Sequence, residues 1–258
     1  MFIKKFKFSY FYKIWYLALY RNIARYNRTY LGSFWIGFTN LLQVVVLGLV
    51  YGTVFKVPSA KDYFIYLGFG ISIWTFMGGC ITSFSDLLIR EKNRILNYPK
   101  SIYDILAEEY IFQVQVFFQA LITLIFVLLF LDPSIIFNIF NSIGPLIVLL
   151  IGVFWMSILT SIASLWIRDI GQLIPVIVQL LFLVSPIMYQ KEALRSLRFV
   201  IKLNPLFQYL EPLRESFISG NVDFWGTIID LIISLTLLMI SIQLVVNLKY
   251  KIVDLVAE

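Results

Sequence analysis

Apolar residues run along this chain in long blocks rather than in the alternation of a half-buried strand or the narrow stripe of a soluble helix. Six such blocks are legible, at roughly 31–56, 63–88, 108–131, 143–167, 171–189 and 224–248. Each is ~18–26 residues, enough at ~1.5 Å per residue to cross a hydrocarbon core ~30 Å thick. Breaks fall at Pro58, Asp132-Pro133, Arg168-Asp169 and Asn204-Pro205. The pattern predicts an all-α integral membrane protein with six transmembrane helices. The Arg168–Tyr189 stretch has the most internal structure. It opens on a charge pair, Arg168 and Asp169, and then stays uncharged up to Ser185-Pro186 and Tyr189. The charges fix where this helix meets water, and Pro186 removes a backbone donor near its other end.

Two segments depart from the block pattern. Residues 1–30 hold seven Lys and Arg and no acid, interleaved with Phe8, Tyr10, Phe11, Tyr12, Trp15 and Tyr16. That mixture predicts an amphipathic interface helix in the headgroup plane. Lys13 interrupts the apolar part, and no small-residue cleavage site precedes the first span, so a signal peptide is not expected. From Gln190 to Gly220, apolar Ala193, Leu194, Leu197 and Ile201 recur at helical spacing, and Asn204-Pro205 separates a second amphipathic piece, Leu206 to Phe217. This reads as a re-entrant outer hairpin before the last span, with an interfacial loop as the alternative.

Composition reinforces the membrane reading. The chain of 258 residues is 60% hydrophobic and only 14% charged, with a mean hydropathy of +0.86. Placing the N-terminus inside puts fourteen Lys and Arg on the cytoplasmic side and seven outside. That bias predicts both termini in the cytoplasm. The five basic residues between Lys191 and Arg214 go against the rule, as a structured, partly embedded hairpin would allow.

The missing chemistry is equally informative. There is no histidine, and Cys80 is the sole cysteine. Histidine catalysis, a disulfide and a cysteine metal site within the chain are excluded, and no metal site is expected. No G-x-x-x-x-G-K-[ST] occurs, so the chain has no P-loop. The acids Asp86, Glu108, Glu109 and Asp230 sit near span ends, and the polar clusters within the blocks are neutral: Thr39, Asn40 and Gln43; Gln115, Gln119 and Thr123; Gln172 and Gln179. These faces suit an uncharged, hydroxyl-rich substrate or plain interhelical hydrogen bonds. Gly48-x-x-x-Gly52 and the Ser157, Ser161, Ser164 stripe read as close-packing faces.

Four stretches, in order, resemble the type-2 ABC exporter permeases, and within them the polysaccharide export branch that moves O-antigen, capsule or teichoic acid. They are Arg25-Tyr26-x-x-Thr29-Tyr30-Leu31-Gly32-x-x-Trp35, Arg90-Glu91-Lys92 to Pro99, Arg168-Asp169-Ile170 to Ser185-Pro186-Ile187-x-Tyr189, and Leu203-Asn204-Pro205-Leu206. The resemblance implies an interface segment at 1–30, a transmembrane domain at 31–248 and a cytoplasmic tail at 249–258. It implies a coupling loop at about 89–106, with Arg90, Glu91, Lys92, Arg94 and Pro99 facing an ATPase. Trp35, Phe38, Gln43, Gln172, Gln179, Phe182 and Tyr189 become candidate conduit residues. Ser185, Pro186, Asn204 and Pro205 become the hinge of a gate hairpin at about 190–220. The expected partners are a second copy of the chain, two copies of a separate ABC ATPase that holds ATP and Mg, membrane lipid and a lipid-linked glycan, with no nucleic acid. The chain itself is expected to hold no cofactor and to catalyse nothing, in a plasma or inner membrane. A drug exporter of the same class and a membrane glycosyl- or acyltransferase are the rival readings; the latter needs a catalytic carboxylate or histidine within the spans.

Overall fold

The computed structural model describes residues 8–97, 102–189 and 204–257, and these are helical with no strand among them. In chain order the helices are α1 (Phe8–Tyr26), α2 (Phe34–Val54), α3 (Ala60–Ser85), α4 (Leu87–Arg90), α5 (Lys92–Asn97) and α6 (Ile102–Leu128). They continue as α7 (Ile135–Asn141), α8 (Ile143–Trp166), α9 (Arg168–Val184), α10 (Pro205–Ser219) and α11 (Phe224–Ala257). Five of them, α2, α3, α6, α8 and α11, are long and apolar enough to cross a membrane. The expected fifth span appears as α9, a 17-residue helix, slightly short of a full crossing by itself.

Local chemistry accounts for the boundaries. Ser59 caps α3 by accepting the Asp62 N–H at 3.3 Å, and Asp62 lies in the first turn, where the helix dipole favours an acid. The chain leaves α8 through a single extended residue, Ile167, and starts α9 at Arg168, with Asp169 in its first turn. The Asn204 side chain accepts the N–H groups of Leu206 and Phe207, Pro205 sits where its missing N–H costs nothing, and α10 ends on Gly220 at φ +70°. Two α7 amides then receive the far end of α10. Asn138 Nδ2 donates to Phe217 O at 2.9 Å, and Asn141 Nδ2 donates to Gly220 O at 3.0 Å.

Helix α3 is the axis of the bundle. In its most apolar stretch 78% of residues are buried, against 28% for α2 and 17% for α11. It packs on α2, α6, α8, α9 and α10, while α11 leans mainly on α8 and α1 lies against α6. The Gly48–Gly52 face meets Phe64 and Tyr63 of α3. Ser157, Ser161 and Ser164 are all buried on α8. Both small-residue faces thus serve packing within the chain. Gly152 is required: a Cβ there would overlap the Tyr209 ring where α10 presses on α8. α9 runs antiparallel to α3 along its length, from Ser85 beside Gly171 to Tyr63 beside Met188. A second apolar cluster closes the charged end, where Ile95 of α5 packs with Val245, Ile252 and Val256 of α11. Residues 249–257 therefore continue the last helix, with Ile252 and Val256 packed.

Candidate functional site

At the charged end, short helices α4 and α5 are tied to α6 by ion pairs. Arg90 reaches Asp86 at 2.9 Å and Glu109 at 3.7 Å, and Arg94 reaches Glu108 at 2.8 Å and Glu91 at 3.8 Å. Arg21 of α1 also reaches Glu109, at 2.6 Å, with its guanidinium 4.4 Å from the Phe112 ring centroid. Glu109 is only 2% exposed. It is the hub that joins α1, α4 and α6. Tyr10 adds a second strut by donating to Asp104. Burial, with the Asp104 hydrogen bond and charge beside it, pushes the Tyr10 hydroxyl well above its usual range. Burial by itself would lower the Arg94 guanidinium, but the Glu108, Glu91 and Asp104 carboxylates raise it.

Of the expected coupling residues, Arg90, Glu91 and Arg94 are in this joint. Lys92 opens α5 beside them, and Pro99 lies outside the described residues. Sequence reasoning missed Arg21 and Glu109. The signal available was charge complementarity: a basic run at 90–94 and a basic first segment, against the adjacent acids Glu108-Glu109.

At the opposite end the Ser-Pro corner is pinned from three sides. Ser185 donates to Leu181 O and accepts from Asn204 Nδ2, each at 2.6 Å. Pro186 O accepts from Tyr66 Oη and from Arg214 Nη1, each at 2.9 Å. Arg214 is fully buried; it pairs with Glu211 one helical turn earlier and stacks 3.8 Å from the Tyr66 ring centroid. Tyr63 donates to Met188 O at 2.7 Å. The structure thus brings Ser185, Pro186 and Asn204 into one latch, with the exposed Pro205 at its edge. Arg214, its centre, was counted only as a loop charge in the sequence. The first limb of the expected hairpin, 190–203, lies outside the described residues.

The expected conduit residues do not converge on one cavity. Trp35 and Phe38 are exposed on α2, edge to face with centroids 5.6 Å apart. Gln43 opens on a cavity of about 280 Å³ with Arg25, Thr39, Asn40, Thr75 and Gln113, and Asn40 accepts from the Ser72 hydroxyl at 2.8 Å. Gln172 and Gln179 are exposed on α9, which has no buried residue. Phe182 packs on Trp74, and the Tyr189 hydroxyl turns back to donate to Val184 O at 2.8 Å. Arg168 and Asp169 are both exposed, with no ion pair between them among the described residues. A groove of about 600 Å³ lies between α8, α10 and α11 and carries Glu211, Glu215, Asp223 and Asp230. Among the described residues no acids, cysteines or histidines are grouped so as to hold a metal.

One feature of α9 escaped the sequence reading. Pro175 sits inside the helix and cannot donate to the carbonyl of Gly171. The Ser85 hydroxyl of α3 lies 3.3 Å from that carbonyl and shares its single proton between it and Thr82 O, at 2.8 Å.

Residues 16–218 match the family model described as ABC-2 type transporter. The chain is also similar to the O-antigen export system permease protein RfbA of Klebsiella pneumoniae, 23% identical over 242 residues that cover 90% of each chain. An all-helical membrane bundle, a family match over most of its length and the absence of a P-loop agree with one another: this chain belongs to the ABC-2 type transporter membrane family.

Proposed function

We propose that this chain is the transmembrane subunit of an exporter that carries a lipid-linked polysaccharide outward across the plasma membrane, or the inner membrane of a Gram-negative cell. The observation that carries the reading is the end-to-end likeness to an O-antigen export permease, over 90% of both chains. In this reading two copies of the chain form the conduit, and a separate pair of ATPase subunits holds ATP and Mg beneath it. α9 is the fifth of six crossings. Its run along α3, and the packing of the end of α11 on α5 at the same end as α1, support an even number of spans. Both termini then lie in the cytoplasm, and the charged joint faces the ATPase. Closure of the ATPase pair pushes α4 and α5, and the Glu109 hub passes the push to α1 and α6 as a rigid-body motion. The Thr39, Gln43, Gln172 and Gln179 faces, neutral and hydroxyl-compatible, form the wall. Segment 190–220 is the re-entrant gate, held by the Arg214 latch.

The test is export itself. Cells depleted of this chain should continue to assemble the lipid-linked glycan but retain it on the cytoplasmic leaflet. Unchanged surface glycan in depleted cells would overturn the reading.

A further inference from the structure

Where α1 crosses α6 and meets the start of α2, a groove of about 360 Å³ opens on the flank of the bundle. Its rim is apolar and open: Trp15 and Leu19 of α1, Phe34 of α2 and Ile122 of α6 are all exposed. Its floor is polar and closed. Asn22 is 3% exposed and Gln115 is 7% exposed. Gln115 Nε2 donates to Trp15 O at 3.0 Å, and the neighbouring Gln119 Nε2 donates to Ser33 O at 2.6 Å. Asn22 Oδ1 and Gln115 Oε1, however, have no hydrogen-bond donor. Buried amide oxygens in folded proteins are nearly always paired, and here two unpaired ones belong to side chains lining the same groove.

The surroundings define what can supply the donors. The chain carries no charge from Tyr110 to Leu131, and Gln115 of α6 lies about 8 Å into that stretch at ~1.5 Å per residue. The rim therefore faces hydrocarbon just inside the membrane boundary, where bulk water is scarce. Helix α1 also exposes Lys13 and Arg25 outside the groove, a basic surface that draws anionic headgroups to the interface. We propose that the groove binds one glycerophospholipid whose headgroup carries a hydrogen-bond donor. Its acyl chain lies against Phe34, Phe118 and Ile122. Its ammonium or hydroxyl is received by Asn22 and Gln115, whose amides turn toward it. Such a lipid bridges α1 and α6, so the seating of the interface helix depends on the headgroup available. This site is independent of what the protein transports.

Native mass spectrometry of the full chain in detergent, with phosphatidylethanolamine, phosphatidylglycerol or phosphatidylcholine of matched acyl chains, tests the proposal. Phosphatidylcholine has no N–H or O–H to donate. The expected result is retention of a donor lipid about tenfold above phosphatidylcholine, the factor one charge-assisted hydrogen bond contributes; the ethanolamine and glycerol arms identify which donor is preferred. Asn22→Leu with Gln115→Leu should abolish the difference. Equal retention of phosphatidylcholine by the native chain, or undiminished discrimination in the double variant, overturns it. Should the double variant not fold, Asn22→Asp keeps the shape and should shift preference toward the ammonium lipid and away from the anionic one. An unchanged ratio there overturns it as well.

Discussion

Arg214 is a cation with no exposed surface, held by a carboxylate, a backbone carbonyl and an aromatic face, with its Nε–H left without an acceptor. Removing one partner of such a pair strands the other, at a cost of roughly 3–5 kcal/mol, whereas replacing both by apolar groups of similar volume is close to neutral. Arg214→Met should therefore lower the unfolding temperature in detergent sharply, and adding Glu211→Leu should recover most of the loss. A double variant no more stable than the single one would show that Glu211 is not the charge being compensated. Asp132 is the contrasting case on the surface. The hydrogen bond from the Ser134 hydroxyl, then Lys61 at 2.9 Å, hold its carboxyl down to about 2 from an ordinary value of 3.8. Because the folded value is depressed, its contribution to stability is fully present above the ordinary value and is lost as pH falls through about 2. Carboxyl NMR should find this low titration, and Ser134→Ala should move it upward.

Among the elements, α9 is the one whose internal proline is answered from outside. If Ser85 stands in for the hydrogen bond that Pro175 cannot make, Ser85→Ala should cost about 0.5–1 kcal/mol in the native background. In a Pro175→Ala background, where residue 175 can donate to Gly171 itself, the cost should nearly vanish. A double-mutant cycle reads the coupling directly, and additive effects would refute it. The charged joint also acts at the scale of elements, since its ion pairs join α4, α5 and α6 to one another and to α1, far back in the chain. Charge reversal at Arg90, Glu91 and Lys92 should separate ATP hydrolysis from export in the assembled transporter while the chain still expresses. Glu109→Gln should do the same by releasing Arg21 and Arg90 together. Preserved coupling in both would remove the joint from the mechanism.

At the scale of the whole molecule, α3 is enclosed while α2 and α9 keep exposed faces, which in the proposed exporter would meet a second copy or the substrate. In a Cys80→Ser background, cysteines at Gln43 and Gln179 should react with polar thiol reagents in the assembled transporter; protection of both would assign them to packing. How far the chain could be read without coordinates follows one physical line. Hydrocarbon imposes length and continuity on a span, so α2, α3, α6, α8 and α11 are written in linear blocks, and the capping residues Ser59, Asn204 and Gly220 mark ends by local backbone chemistry. The amphipathic character of α1 follows from its own residues as well. What linear spacing cannot encode is which buried charge meets which. Arg214 looked like one of several loop cations until α10 folded it beneath Pro186 and Tyr66, and Glu109 looked like a span-end acid until α1 and α4 brought Arg21 and Arg90 to it. Sequence by itself determined that this is a helical membrane protein without a P-loop, because burial in lipid and the P-loop are local properties of composition and motif. The tertiary structure alone decided the latch, the joint and the groove between α1, α2 and α6, because each depends on side chains brought together from helices far apart in the chain.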